Sequence, residues 1–122
     1  MSATILYIED NPDNSLLVQR ALKARGYEVL WAANGASGIE QAEAHPPDLI
    51  LLDINLPDID GYEVARRLRA HDGLRAVPIM AITANALKGD AEKALAAGCD
   101  AYIAKPLQLH ELWARVAALV QA

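Results

Sequence analysis

Thiol is nearly absent from this chain. Cys99 is its one cysteine, and a lone cysteine closes no internal disulfide, so a reducing compartment is expected. Beside Gly98, Cys99 reads as a small packing residue. Basic charge is also short. Eleven Lys and Arg stand against sixteen Asp and Glu, leaving a net charge of −5, and direct nucleic-acid binding needs a basic footprint. No apolar run approaches the roughly 20 residues of a membrane span, so no membrane insertion is expected. Met1-Ser2-Ala3 leads straight into Thr4-Ile5-Leu6-Tyr7-Ile8 with no basic region or long hydrophobic stretch. No signal peptide is expected, and the cytoplasm is the expected compartment. Repeats, linkers and low-complexity tracts are missing too. What remains is 53% hydrophobic and 22% charged, ordinary for a globular protein. The 122 residues suffice for one domain, 1–122, with a real core.

The densest apolar stretch is Leu49-Ile50-Leu51-Leu52, which ends on Asp53. Bracketed by Pro47-Asp48 and by Pro57 and Gly61, it reads as a strand buried on both faces of a parallel sheet. Before it, Ile5–Ile8 is a short apolar run ending on Glu9-Asp10. Asn11-Pro12 reads as a helix cap followed by proline at the first helical position. Leu17, Val18, Ala21 and Leu22 follow at helical spacing, and Gly26 stops that helix. Tyr27–Trp31 has strand composition. Asn34-Gly35 is a turn signal, and a weaker helix through Ile39 and Ala42 ends at His45-Pro46-Pro47.

After Asp53 comes a loop in which Asp60 and Glu63 have capping-box spacing. Val64, Ala65 and Leu68 then form an apolar stripe. Arg66, Arg67 and Arg69 lie largely off it and read as a solvated face rather than an anion site. Asp72-Gly73 is a turn. Pro78–Thr83 is a fourth strand, Leu87, Ala91, Ala94 and Leu95 mark a fourth helix stopped by Gly98, and Ala101–Ala104 is a fifth strand ending on Lys105-Pro106. Leu109, Leu112, Trp113, Val116, Leu119 and Val120 trace the apolar face of a last helix. Strict strand–helix alternation calls for an α/β fold, with a mostly parallel sheet and helices on both faces.

In such a sheet the carboxyl ends of all strands face one edge, where open α/β folds place their ligands. Glu9 and Asp10, Asp53, Thr83 and Lys105 should therefore meet. Each has a bland explanation alone; the joint pattern carries the weight. Carboxylates so grouped repel: two unit charges about 4 Å apart cost roughly 4 kcal/mol at an effective dielectric near 20. Lys105 can neutralise one charge, and a hard divalent cation more. Mg²⁺ takes carboxylate and carbonyl oxygens plus waters. Asp10 and Asp53 are the natural direct ligands, Glu9 acts directly or through water, and the Asn55 backbone carbonyl is a third candidate. A cation, a lysine, a hydroxyl and one well-placed carboxylate suit phosphoryl transfer onto that carboxylate.

These segments resemble the response-regulator receiver domain of two-component signalling. The residues that carry the likeness are Ile8-Glu9-Asp10-Asn11, Leu51-Leu52-Asp53-Ile54-Asn55-Leu56-Pro57, Asp60-Gly61, Ala81-Ile82-Thr83-Ala84 and Lys105-Pro106. The resemblance implies a flavodoxin-like fold, a five-stranded parallel sheet in the order 2-1-3-4-5 inside a three-layer sandwich. It implies that Asp53 accepts phosphate from the phosphohistidine of a histidine kinase or a histidine phosphotransfer protein. It implies a cis Lys105-Pro106 bond, which proline makes accessible. It implies that Thr83 and Tyr102 form a switch altering the surface of the fourth helix, fifth strand and fifth helix, although Tyr102 also reads simply as a partly exposed strand tyrosine. Asn55 and Asn85 would flank the phosphate.

No effector module is expected after Gln121-Ala122, and the charge is acidic, so a downstream protein effector is expected rather than DNA. The pattern is closest to stand-alone receivers and to receiver modules of hybrid kinases. Such a module is not an enzyme beyond catalysing its own phosphorylation and dephosphorylation. Two rivals fit poorly. Haloacid-dehalogenase-like phosphatases want an acid two residues after the nucleophile, where this chain has Asn55. A flavin module needs a loop rich in Ser, Thr or Gly after the first strand, where this chain has Glu9-Asp10-Asn11-Pro12-Asp13. A pseudo-receiver that binds partners without phosphorylation stays open.

Overall fold

The computed structural model describes residues 3–84 and 89–120. Asn85 and Leu87, two of the positions read from the sequence, lie outside them. Five strands, β1 (Thr4–Ile8), β2 (Glu28–Ala32), β3 (Leu49–Asp53), β4 (Ile79–Thr83) and β5 (Ala101–Ala104), alternate with helices α1 (Pro12–Lys23), α2 (Gly35–Ala44), α3 (Gly61–Ala70), α4 (Asp90–Ala96) and α5 (Leu109–Val120). A short 3-10 turn covers Asp72–Leu74. The strands form one sheet in the order β2-β1-β3-β4-β5, and every pairing is parallel.

The alternation of side chains along a strand decides which helices each face receives. Leu6, Ile8, Ile50, Leu52, Ile79 and Ala81 face α2, α3 and α4, through Ala42, Val64, Leu68 and Ala94. Ile5, Tyr7, Leu49, Leu51, Met80, Ile82 and Ile103 face α1 and α5, through Val18, Leu22, Leu112 and Val116. β3 lies at the centre of the sheet and is buried along its whole length. Each fully buried Leu or Ile contributes roughly 1.5–3 kcal/mol by removal from water. That hydrophobic term holds Asp53 in place at the strand's end. β2 is an edge strand and leaves Leu30 and Trp31 partly exposed.

Local signals act largely as the sequence suggests. The Asn11 side chain accepts from the N–H groups of Asp13 and Asn14, with Pro12 opening α1. Gly26 adopts φ +88 just past that helix, and Gly98 φ +105 past α4, the left-handed region that glycine enters without a Cβ clash. Three readings need correction. Asn34-Gly35 is not a free turn but a helix start: the Asn34 side chain caps the Ser37 N–H at the mouth of α2. The capping box on α3 is half made. Asp60 accepts from the Tyr62 N–H at 2.8 Å, but Glu63 turns to Arg66 and Arg67, both at 3.0 Å, because charged partners one turn on compete for it.

Arg69 is not part of a solvated face. Its guanidinium donates to the main-chain oxygens of Leu74, Arg75, Val77 and Gly98 and pairs with Asp100 at 2.8 Å. A planar fork with five N–H donors suits a nest of carbonyls.

Candidate functional site

The carboxyl ends of β1, β3, β4 and β5 lie along one edge of the sheet. Asp53, the last residue of β3, is buried. Its Oδ1 accepts from the Asn55 N–H at 2.8 Å, and its Oδ2 takes the Lys105 ammonium at 2.6 Å, across 52 residues of sequence. Both oxygens are therefore oriented. A carboxylate so buried needs such partners, because desolvating an unpaired charge is prohibitive.

Glu9 follows β1 and is also buried, whereas Asp10 beside it is exposed. One carboxylate oxygen from each of Glu9, Asp10 and Asp53 lies within 4.8 Å of the others. The two Glu9 oxygens are engaged as well. Oε1 accepts from the Tyr7 hydroxyl at 3.1 Å and Oε2 from the Asn11 N–H at 3.2 Å. Burial pushes the Glu9 carboxyl up to about 7. A hydrogen bond with Asp53 and that group's charge add to the rise, while the Asn11 N–H and the Lys105 charge oppose it. Burial, with Glu9 and Asp53 adding, likewise raises the Tyr7 phenol well above its ordinary value, so it stays a donor.

A group of hard oxygen donors with excess negative charge is the set that Mg²⁺ takes. Burial is the chief cause of the raised Glu9 carboxyl and the neighbouring Asp53 adds to it; a cation among the three acids would favour the ionised form. The residues present fit that ion. Asn55 contributes its N–H to Asp53.

Thr83 closes β4 and is buried, and its carbonyl accepts from the Lys105 N–H at 2.8 Å. The Lys105-Pro106 peptide bond is cis. Tyr102 is half-buried in β5, opposite Ala81, and packs against the core on the α2–α4 face. Beside the acids a cleft of about 460 Å³ opens, lined by Tyr7, Glu9, Asn14, Leu17, Lys105 and Leu107. Its walls belong to α1 and to the connection from β5 to α5.

Two neighbours of the acids escape a reading of the sequence. Tyr7 shares a strand face with Glu9 at a separation of two, a signal that period-two alternation could have supplied. Trp31 donates its indole Nε1–H to the Glu9 carbonyl oxygen at 2.6 Å, and no pattern in the chain marks that contact. A third residue, Asp58, ties the loop after Asp53 to α2. Its carboxylate accepts from the Gly35 and Ala36 N–H groups at 2.8 and 3.0 Å. Burial opposes ionisation there, but these backbone donors prevail and hold its carboxyl below the ordinary value.

Known proteins share both the sequence and the fold. Residues 5–117 match the family described as the response regulator receiver domain. Over 109 residues the chain is 42% identical to the polar-differentiation response regulator DivK of Brucella anthropi, covering 89% of this chain and 89% of that protein. The receiver domain of a sensor histidine kinase from Pseudomonas aeruginosa, solved with a magnesium ion coordinated in its active-site cleft, superimposes with a TM-score of 0.93. It is 40% identical, and the match covers 100% of both chains. A putative response regulator from Chloroflexus aurantiacus superimposes with a TM-score of 0.95 at 31% identity, again covering 100% of both chains.

Proposed function

The chain belongs to the response-regulator receiver family, and from that premise we propose that Asp53 is the phosphoacceptor of a two-component or phosphorelay pathway. The donor is the phosphohistidine of a histidine kinase or a histidine phosphotransfer protein. The reading is of one receiver domain over 1–122, working in the cytoplasm without membrane insertion or direct nucleic-acid contact. It catalyses only its own phosphorylation and dephosphorylation.

The observation that carries this reading is the 2.6 Å pair between Lys105 and Asp53 inside a group of three carboxylates. An Asp53 oxygen forms the new bond to phosphorus as the bond to the donor nitrogen breaks. Phosphoryl transfer involves little covalent work by other groups, so positioning and charge stabilisation dominate. Asp53 is already oriented by the Asn55 N–H and by Lys105. The Lys105 ammonium is placed to follow the negative charge from the carboxylate to the phosphoryl oxygens. The Thr83 hydroxyl, at the end of the neighbouring strand, offers a further donor. Mg²⁺, held by Asp10 and Asp53, by Glu9 directly or through water, and by the Asn55 carbonyl, would supply positive charge to the same oxygens.

Output follows from the same groups. Thr83 and Tyr102 lie on adjacent strands and form the switch that carries the phosphorylated state to the surface of α4, β5 and α5. A downstream protein effector reads that surface. A phosphate biases such an element only by its different interaction with the two states.

Incubation with Mg²⁺ and acetyl phosphate, followed by intact mass, tests the assignment. The wild type gains one phosphoryl group and Asp53→Ala gains none. Equal labelling of both overturns it.

A further inference from the structure

The acidic pair Glu9-Asp10 sits on a very short connection. β1 ends at Ile8, and Asn11 already caps α1. The peptide planes on either side of Asp10 therefore set where its exposed carboxylate points. The Glu9 N–H makes the last bond of the parallel ladder, to the Ala32 oxygen at 3.0 Å. Beyond Ala32 the β2 side of that ladder ends, because Asn34 turns away to cap α2. The Glu9 carbonyl takes the indole N–H of Trp31 instead, at 2.6 Å. Trp31 stands opposite Tyr7 on the edge strand, and its ring stays partly exposed. Residues of strand β2 thus hold the Glu9 main chain at both polar atoms.

We propose that Trp31 is a positioning residue for the divalent-cation site: its indole N–H fixes the Glu9–Asp10 peptide and so aims the Asp10 carboxylate at the ion. The proposal rests on the reading of Glu9, Asp10 and Asp53 as the Mg²⁺ ligands. Partners that orient ligands from outside the coordination shell typically change metal affinity about 10–100-fold when removed. Trp31→Phe keeps an aromatic ring on β2 and removes the donor.

Two measurements on the whole chain decide the matter. In the first, Mg²⁺ is titrated calorimetrically into the wild type and Trp31→Phe, with thermal unfolding of both recorded alongside. The expected result is a dissociation constant raised about 10-fold or more. A change below about threefold overturns the proposal whatever happens to the unfolding temperature, because packing alone would lower stability without touching the ion. In the second, the two indole N–H resonances of the wild type are followed in a ¹H–¹⁵N spectrum as Mg²⁺ is added. The Trp31 signal should move. The Trp113 indole, bonded to the Ala21 oxygen at 2.9 Å, serves as the internal control and should not. This second measurement stands even where Trp31→Phe fails to fold, and a stationary Trp31 signal overturns the inference. A wild type that takes up no Mg²⁺ defeats the reading of the acids themselves, a different result from an unmoved affinity in the variant.

Discussion

Glu9 is where the charge balance of the acidic edge turns. Its carboxyl is raised from the ordinary 4.5 to about 7, chiefly because it is buried and next because it shares a hydrogen bond with Asp53. The folded state therefore binds more protons than the unfolded chain between these two values, and stability must fall as pH rises through that window and level off above it. Without Mg²⁺, the unfolding temperature should drop as the pH is raised from about 5 to about 8. Adding the ion should restore much of the loss, and Glu9→Gln, which keeps a hydrogen-bonding side chain without the charge, should flatten the profile. Thermal melts in chelator and in saturating Mg²⁺ check this; an unfolding temperature that climbs with pH in the chelated wild type would contradict it. Cys99 shows burial acting on a group with no part in the site. Desolvation pushes its thiol up to about 11, and the thiolate is the reactive form. Iodoacetamide at neutral pH should leave the native protein unlabelled and label it fully in denaturant, as mass spectrometry would record.

Among the elements, the connection from β3 to α3 is tied at both ends and in the middle. The Gly61 N–H donates to the Ile54 carbonyl at 3.1 Å, folding the loop back on itself. A Cβ at Gly61 would run into Ile54 Cα and lie 2.8 Å from the Ile54 oxygen and 2.9 Å from the Asp53 oxygen. These are backbone atoms and cannot step aside. Gly61→Ala should therefore cost roughly 3 kcal/mol in denaturant unfolding, and acetyl-phosphate labelling of Asp53 should slow with it. Asp58→Ala takes the acceptor from two N–H donors at the α2 N-terminus and should cost about 1 kcal/mol, the usual value of a lost cap. The elements themselves were legible because each announces itself locally. Short apolar runs marked the strands, with β2 displaced by one residue and β1 and β4 differing by one at their starts, and Gly26 and Gly98 marked the stops of α1 and α4. The half-made box at Asp60 and Glu63 was misread, since two arginines at helical spacing compete for Glu63. The convergence of Glu9, Asp10, Asp53 and Lys105 was legible for a different reason. Parallel topology alone sends all their strand ends to one edge.

At the scale of the whole molecule, the two edges of the sheet do opposite work. The carboxyl edge gathers like charges, and grouping them there opposes folding. The amino edge gathers hydrogen bonds. Asp48 accepts from the Thr4 N–H, Asp100 accepts from the Ile79 N–H, and Arg69 joins α3, the 3-10 turn, the start of β4 and the turn after α4. Little of this was legible in the sequence, because apart from Asp100 Arg69 meets main-chain oxygens, which every residue carries, up to 29 positions away. The same holds for Trp31 on the Glu9 carbonyl. Side-chain identity announces a partner only when the partner is itself a distinctive side chain. This division of labour makes stability and ion binding separable. Arg69→Met keeps the aliphatic stem and removes the fork, leaving several part-buried carbonyls without their donor, each worth about 1 kcal/mol or more. The loss in chemical unfolding should be roughly 2–4 kcal/mol. Because those contacts sit at the starts of β4 and β5 rather than their ends, Mg²⁺ affinity and the yield of phosphorylated Asp53 should stay at wild-type values in the folded fraction. A variant that unfolds early yet binds the ion normally fits this account. One whose Mg²⁺ affinity falls in step with its stability would show that the two edges are mechanically coupled through the sheet.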